Sequence, residues 1–273
     1  MSEALKPTCD RKTKFWQNQK NTFGLLPGKD GTCPGCTTGP KGCWHLAPGR
    51  RTHTCYVDAL MQCYTGIRGV LEHNTRLLRE ADIAAKIRLL DAEFARFEAD
   101  EAKHHAATGE PERLIYRIHW SGDMFDADYA KALGMAMTKH PRIGFWSYTR
   151  SFDLLEHVVT VPNLVQYLSL DPENVDQGLL AYERFNGPDN PRLQLCYMSP
   201  YDDSADVMEP TALKIEARTR IRSMLNPGVV QNAWNKPTLT ACPVDTGKLE
   251  LELGCSKCRR CLTAGAGDVW FKC

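Results

Sequence analysis

The chain has 273 residues, enough to bury a full core as one large domain or as one domain with a small appendage. Hydrophobic residues make up 42% and charged residues 25%, as in an ordinary globular protein, and the formal net charge of +1 excludes nucleic-acid binding by bulk electrostatics alone. The opening MSEALKPTCDRKTKF lacks the apolar run of a signal peptide, and no apolar stretch reaches spanning length, so the sequence predicts a cytosolic protein without a membrane segment.

Residues 9–55 are rich in Gly, Pro, Thr and Cys with little periodicity, and read as loop held by something other than an apolar core. From Val57 the pattern becomes helical, with Leu60, Met61, Tyr64, Ile67 and Leu71 at three- and four-residue steps. A second stripe, Ile83, Ile87, Leu90, Phe94 and Phe97, predicts another core-facing helix. After the polar run EADEAKHHAATGEPER the period shortens, and LIYRIHW (114–120) predicts a strand. The following DADYAKALGMAMTKH predicts a helix, with Asp126 as its N-cap and Pro141 as its stop.

The alternation continues. IGFWSYT (143–149) predicts a strand and DLLEHVV a helix, then LVQYLSL (164–170) a strand. Asp171-Pro172 opens a helix containing Leu179, Leu180 and Tyr182, with proline at its first position. RLQLCYM (192–198) predicts a further strand, and Leu213, Ile215, Ile221 and Met224 a later helix. Strands alternating with helices imply right-handed crossovers and a parallel sheet. The fold class is therefore α/β: a closed or partial βα barrel over residues 1–240, with an open doubly wound sheet as the alternative, and a cysteine-rich segment over residues 241–273. Ligands in either architecture sit at the C-terminal strand ends. Those ends carry Ser121-Gly122-Asp123, Thr149-Arg150-Ser151, Ser169 and Tyr197.

Twelve cysteines in a reducing compartment point to metal or Fe–S ligation rather than disulfides. The C-terminal group Cys242, Cys255, Cys258 and Cys261 has the spacing C-x12-C-x2-C-x2-C, which suits one tetrahedral metal or one cuboidal cluster. Its tight succession favours an Fe–S cluster over zinc, whose ribbon sites hold two well-separated pairs. The N-terminal group Cys33, Cys36, Cys43 and Cys55 is spaced irregularly, with Cys63 eight residues further along a helix. Cys9, Cys196 and Cys273 stand alone and read as thiols. A [4Fe–4S] cluster held by three cysteines leaves one iron open to the amino and carboxylate groups of S-adenosylmethionine, and its electron yields a 5′-deoxyadenosyl radical. A fully ligated second cluster would serve as a relay, a substrate contact or a clip.

With these motifs in place, the chain resembles the radical SAM superfamily. It resembles in particular a group of phage-encoded cysteine-rich proteins of the thymine-hypermodification isomerase type. The islands that carry the resemblance are CPG (33–35), CY (55–56), HWSGDMF (119–125), YTRS (148–151) and the closing C-x2-C-x2-C, spread over residues 20–262. The usual C-x3-C-x2-C motif is missing.

The resemblance implies two [4Fe–4S] clusters and S-adenosylmethionine as cofactors, and an amino-acid-modified thymine base in phage DNA as substrate. It also implies isomerisation as the reaction, an external electron donor as partner, and the host cytoplasm as location. It assigns Cys33 and Cys55 to the first cluster, with Cys43 or Cys36 as third ligand. It places Asp123 on the methionyl ammonium, in the position of a Gly-Gly-Glu motif, with Gly122 giving clearance. Arg150 would take the cofactor carboxylate or a substrate phosphate, and Ser169 would bond the cofactor.

Blander readings stand beside these. Ser-Gly-Asp is also an ordinary strand-to-helix turn, Arg150 an ion-pair residue, and His119 a satisfied histidine of the barrel interior. Tyr148 and Tyr197 are candidates for base stacking or radical quenching. Arg50, Arg51, Arg218, Arg220, Arg222, Arg259 and Arg260 either contact DNA phosphates or form solvated faces. Two other functions remain open: a zinc-stabilised nucleic-acid-binding protein, and a base-exchange enzyme of the tRNA-transglycosylase kind.

Overall fold

The computed structural model describes residues 3–10, 13–28, 31–36, 55–170, 174–185, 193–198, 240–241 and 269–271. Three helices come first: α1 (Tyr56–Cys63), α2 (Thr65–Glu80) and α3 (Ile83–Thr108). Asp82 caps α3 by accepting from the Ala85 N–H, and Gly109 closes it in the left-handed conformation at φ 73°. The polar run EADEAKHHAATGEPER, which breaks the apolar stripe, is thus largely helix. Its buried Glu101 explains why, since that carboxylate accepts from the Trp16 indole, the Gln19 amide and the Arg113 backbone N–H.

The sheet follows. β1 (Ile115–Ile118), α4 (Ala127–Lys139), β2 (Gly144–Thr149), a 3-10 turn (Phe152–His157), β3 (Leu164–Leu170), α5 (Val175–Phe185) and β4 (Leu193–Met198) alternate as the periodicity predicts. Short strands β5 (Thr240–Ala241) and β6 (Val269–Phe271) complete a six-stranded parallel sheet in the order β1-β2-β3-β4-β6-β5. Asp126 caps α4 as its sequence position implies, accepting from the Tyr129 N–H at 2.7 Å. The predicted helix after β2 is a single 3-10 segment instead. The predicted opening of α5 at Asp171-Pro172 lies outside the described residues, and the helix runs from Val175. The helix predicted around Leu213–Met224 also lies outside them.

The strand order decides which face the helices cover. From β1 to β4 each new strand adds on the same side without reversal, so right-handed crossovers place every connection on one face. The cores agree. Tyr116, Phe145 and Leu164 pack with Leu90, Phe94 and Phe97 of α3 and with Tyr129, Leu133 and Met137 of α4. Leu168, Leu170, Leu193 and Leu195 pack with Val175 and Leu179 of α5. A doubly wound sheet reverses direction and carries helices on both faces; this one is wound singly through β4. The described strands form an open sheet, with β1 and β5 at its edges.

The N-terminal segment departs from the expectation of a loop outside the core. Phe23 and Leu25 are fully buried in the main core, and Leu5 joins them. Residues 21–25 run parallel to the edge of β1: Arg117 N–H donates to Asn21 O, Trp120 N–H to Phe23 O, and Leu25 N–H to Ser121 O. Asn74 of α2 holds this ribbon from the other side, bonding Lys6 and the Gly24 carbonyl. Three apolar residues scattered among polar ones give no period, which is why the pattern reads as loop. Among the described residues no helix is long and apolar enough to cross a membrane.

Candidate functional site

The ribbon ends where the sheet's C-terminal edge begins, and there Cys33 and Cys36 of the N-terminal cysteine group lie. Cys33 N–H donates to Gly28 O and Cys36 N–H to Cys33 O, so the C-x2-C segment is a closed turn. Both cysteines are buried. Two glycines seat the turn. A Cβ on Gly35 would stand 2.2 Å from the carbonyl oxygen of Arg150, just past β2. One on Gly122, at φ 81°, would stand 2.4 Å from Thr32 Oγ1 and 2.6 Å from Leu25 Cβ, just past β1. The clearance expected at Gly122 is therefore filled by the chain's own cysteine loop.

Asp123 completes the seat. It is buried, and its carboxylate accepts from the Met124 N–H, the Thr149 hydroxyl and the Arg150 N–H, each at 2.7 Å. Its own N–H donates to Thr32 Oγ1 at 3.3 Å. Burial raises the Asp123 pKa, and the hydrogen bonds from Arg150, Thr149 and Met124 oppose the rise. Here the carboxylate clasps the ends of β1 and β2 together beneath the cysteine turn. Ser121 does similar work, donating to the Leu25 carbonyl at 2.8 Å.

The remaining predicted residues fall as follows. Arg150 is buried and its backbone receives Gly35; Ser169 is half-buried, and its carbonyl accepts from Asn174. Cys55 occupies the N-cap position of α1. Cys43, Cys242, Cys255, Cys258 and Cys261 lie outside the described residues, as do Arg50, Arg51, Arg218, Arg220, Arg222, Arg259 and Arg260. Among the described residues, no group of three or more Cys, His, Asp or Glu side chains is assembled, so Cys33, Cys36 and Cys55 do not form one. The Cys33–Cys36 turn supplies two thiolate donors of the kind a metal or cluster takes, and it fits such a group in that measure.

Sequence reasoning missed Thr32 and Arg79. Thr32 is buried beside Cys33 and joins the cysteine loop to the Asp123 turn. Arg79 of α2 donates to the Gly31 carbonyl. Neither stands in a motif, and only the fold brings them to the site.

These features define a class: a singly wound parallel α/β protein with a buried cysteine turn seated on its strand ends. The chain belongs to the gene product 88 family, whose model matches residues 3–264. It is 32% identical over 208 residues to the gene 88 protein of Mycobacterium phage L5, covering 76% of this chain and 77% of that one. The gene 88 protein of Mycobacterium phage D29 is likewise 32% identical, over 158 residues, 57% of this chain and 59% of the relative. No solved structure matches the chain.

The family match corrects the resemblance to the radical SAM superfamily, because the family that matches is gene product 88. The islands behind that resemblance are short and built from common residue types. One of them, Ser-Gly-Asp, has a complete local explanation as the clasp at the strand ends.

Proposed function

We propose that this chain is an iron–sulfur enzyme of the host cytoplasm that binds a [4Fe–4S] cluster and S-adenosylmethionine at its strand ends. In this reading it isomerises a modified thymine base of phage DNA, and the sheet is an arc of a partial barrel. One observation supports it above the others: the buried Cys33-x2-Cys36 turn is seated at the C-terminal edge of a parallel sheet, where such sheets bind ligands. A cluster there would supply, when bound, an open iron for S-adenosylmethionine and the electron that releases a 5′-deoxyadenosyl radical. An external donor would deliver that electron.

The chain's own residues have separate tasks. Cys33 and Cys36 would hold the cluster, with a third thiolate from Cys43. Cys242, Cys255, Cys258 and Cys261 would hold a second one. Asp123, Thr32 and Ser121 fix the platform, while Arg150 and Ser169 stand at the adjoining strand ends to orient the cofactor. Support for the substrate is narrower, resting on the phage origin of the relatives and on the aromatic face of the sheet.

A zinc-stabilised nucleic-acid-binding protein is the second reading. It is favoured by the Asp123 carboxylate, whose oxygens already serve the fold. Anaerobic purification separates the two. Iron with acid-labile sulfide, and 5′-deoxyadenosine formed from S-adenosylmethionine under reductant, is the expected result. Cys33→Ser and Cys36→Ser should each lower the iron content while leaving the far-UV circular dichroism unchanged. Colourless protein with stoichiometric zinc overturns the enzyme reading.

A further inference from the structure

The sheet face opposite the helices has a composition of its own. Register aligns Arg117 with Trp146, Tyr148 with Tyr167, and Tyr167 with Gln194 across β1 to β4. Among the described residues, the apolar cluster on this face is drawn from strands alone. The Arg117 guanidinium lies 5.1 Å from the Trp146 ring centroid and 5.9 Å from that of Tyr148. Tyr148 stands 5.3 Å edge-on to Trp146 and 5.1 Å from Tyr167, whose hydroxyl donates to Gln194. A cation, three rings and an amide thus form one continuous row.

Two features of this row point to a ligand. The indole N–H of Trp146 is buried in a residue 3% exposed, and it has no acceptor. A buried donor in that condition forfeits its hydrogen bond to water without replacement, and folded proteins keep such groups rarely. Tyr148, next upward on the same face, is half-buried, whereas Trp146 and Tyr167 are buried. Arg150 follows just past the end of β2, and Gly35 of the cysteine turn packs on its backbone. The row therefore leads from a buried donor upward to the cysteine turn.

We propose that this face binds a nucleobase. The ring stacks at Tyr148, the Trp146 N–H donates to a ring carbonyl or nitrogen, and the Arg117 guanidinium supports the stack. Every base offers a π-face and an in-plane acceptor, which is the pair of groups this row is built to meet. The base belongs either to a free nucleotide or to a DNA strand with its base exposed. This inference rests on the proposed function only in taking the strand ends as the place of reaction; stacking needs no cluster.

The test is a binding titration of the full-length chain, as isolated and after iron is removed by chelation. The probes are dTMP, dAMP and a single-stranded oligothymidylate. Saturable binding by protein in both states is expected. Tyr148→Ala should weaken it about fivefold or more, while Tyr148→Phe retains it. Trp146→Phe, which keeps a ring and removes the donor, should weaken it about fivefold. Binding of the mononucleotides identifies the free base as sufficient, and binding of the oligomer alone identifies a strand. No binding by any probe, or equal affinity in wild type and Tyr148→Ala, overturns the proposal. Neither outcome touches iron and sulfide content, so the cluster reading is judged apart.

Discussion

At the end of β1 the chain leaves the sheet through His119, whose φ of 57° lies in the left-handed region. That backbone turn swings the imidazole away from the sheet face opposite the helices and into the helix-side core. There its Nε2 accepts from the Tyr129 hydroxyl at 2.5 Å, and its ring stands edge-on to Phe23. Burial, aided by the nearby Arg117 charge, lowers the His119 pKa from 6.5 to about 3. The unfolded chain therefore takes up this proton first as pH falls, so stability is held above pH 6.5 and lost toward pH 3. Between pH 7 and 5 the loss from His119 should be roughly 2 kcal/mol. Asp123 works in the opposite sense, since its raised pKa favours the folded state as pH falls through the folded value. Urea unfolding of wild type and His119→Asn at both pH values isolates the histidine, because asparagine tolerates positive φ and does not titrate. Equal pH dependence in the two proteins would show that His119 carries none of it.

Elements held by a single strong local signal were readable, and those held by long-range contacts were not. The strands around Phe145 and Leu168 and the cap of α4 follow from period and one side chain, and the structure places them there. Replacing Asp126 with alanine should cost about 1 kcal/mol in chemical denaturation, and no change would deny it the cap. The N-terminal ribbon was illegible because its two decisive contacts, Phe23 in the core and Asn21 against Arg117, are separated by about a hundred residues from their partners in sequence. Its weight is testable. Phe23 is fully buried, so Phe23→Ala should destabilise the chain by about 3–5 kcal/mol, a core-sized effect from a segment that reads as loop. A loss below about 1 kcal/mol would place the ribbon outside the folding unit.

On the scale of the whole molecule, single winding puts both halves of the candidate site on one edge. The cysteine turn enters from the N-terminus, the Asp123 clasp closes β1 to β2, and Gly35 and Thr32 join the two. The sequence displayed the cysteines and the Ser-Gly-Asp turn but not their junction, which is made by the glycine of CPG and by Thr32, a residue that no motif marks. That junction couples the turn to the sheet. Whatever metal or cluster the thiolates hold in the folded chain stabilises it by mass action, by about 2.7 kcal/mol when the free ligand stands at a hundred times its dissociation constant. Chelation should therefore lower the Tm of the whole sheet, read by circular dichroism. Gly35→Ala, whose added Cβ would stand 2.2 Å from the Arg150 carbonyl oxygen, must shift the turn off its seat and shrink that difference. The expected pattern is a metal-dependent Tm in wild type and a smaller dependence in Gly35→Ala, with similar Tm values once both are stripped of metal. An identical Tm with and without chelator in wild type would mean that the cysteine turn and the sheet are energetically independent, and the reading of the strand ends as a metal-supported site would fall with it.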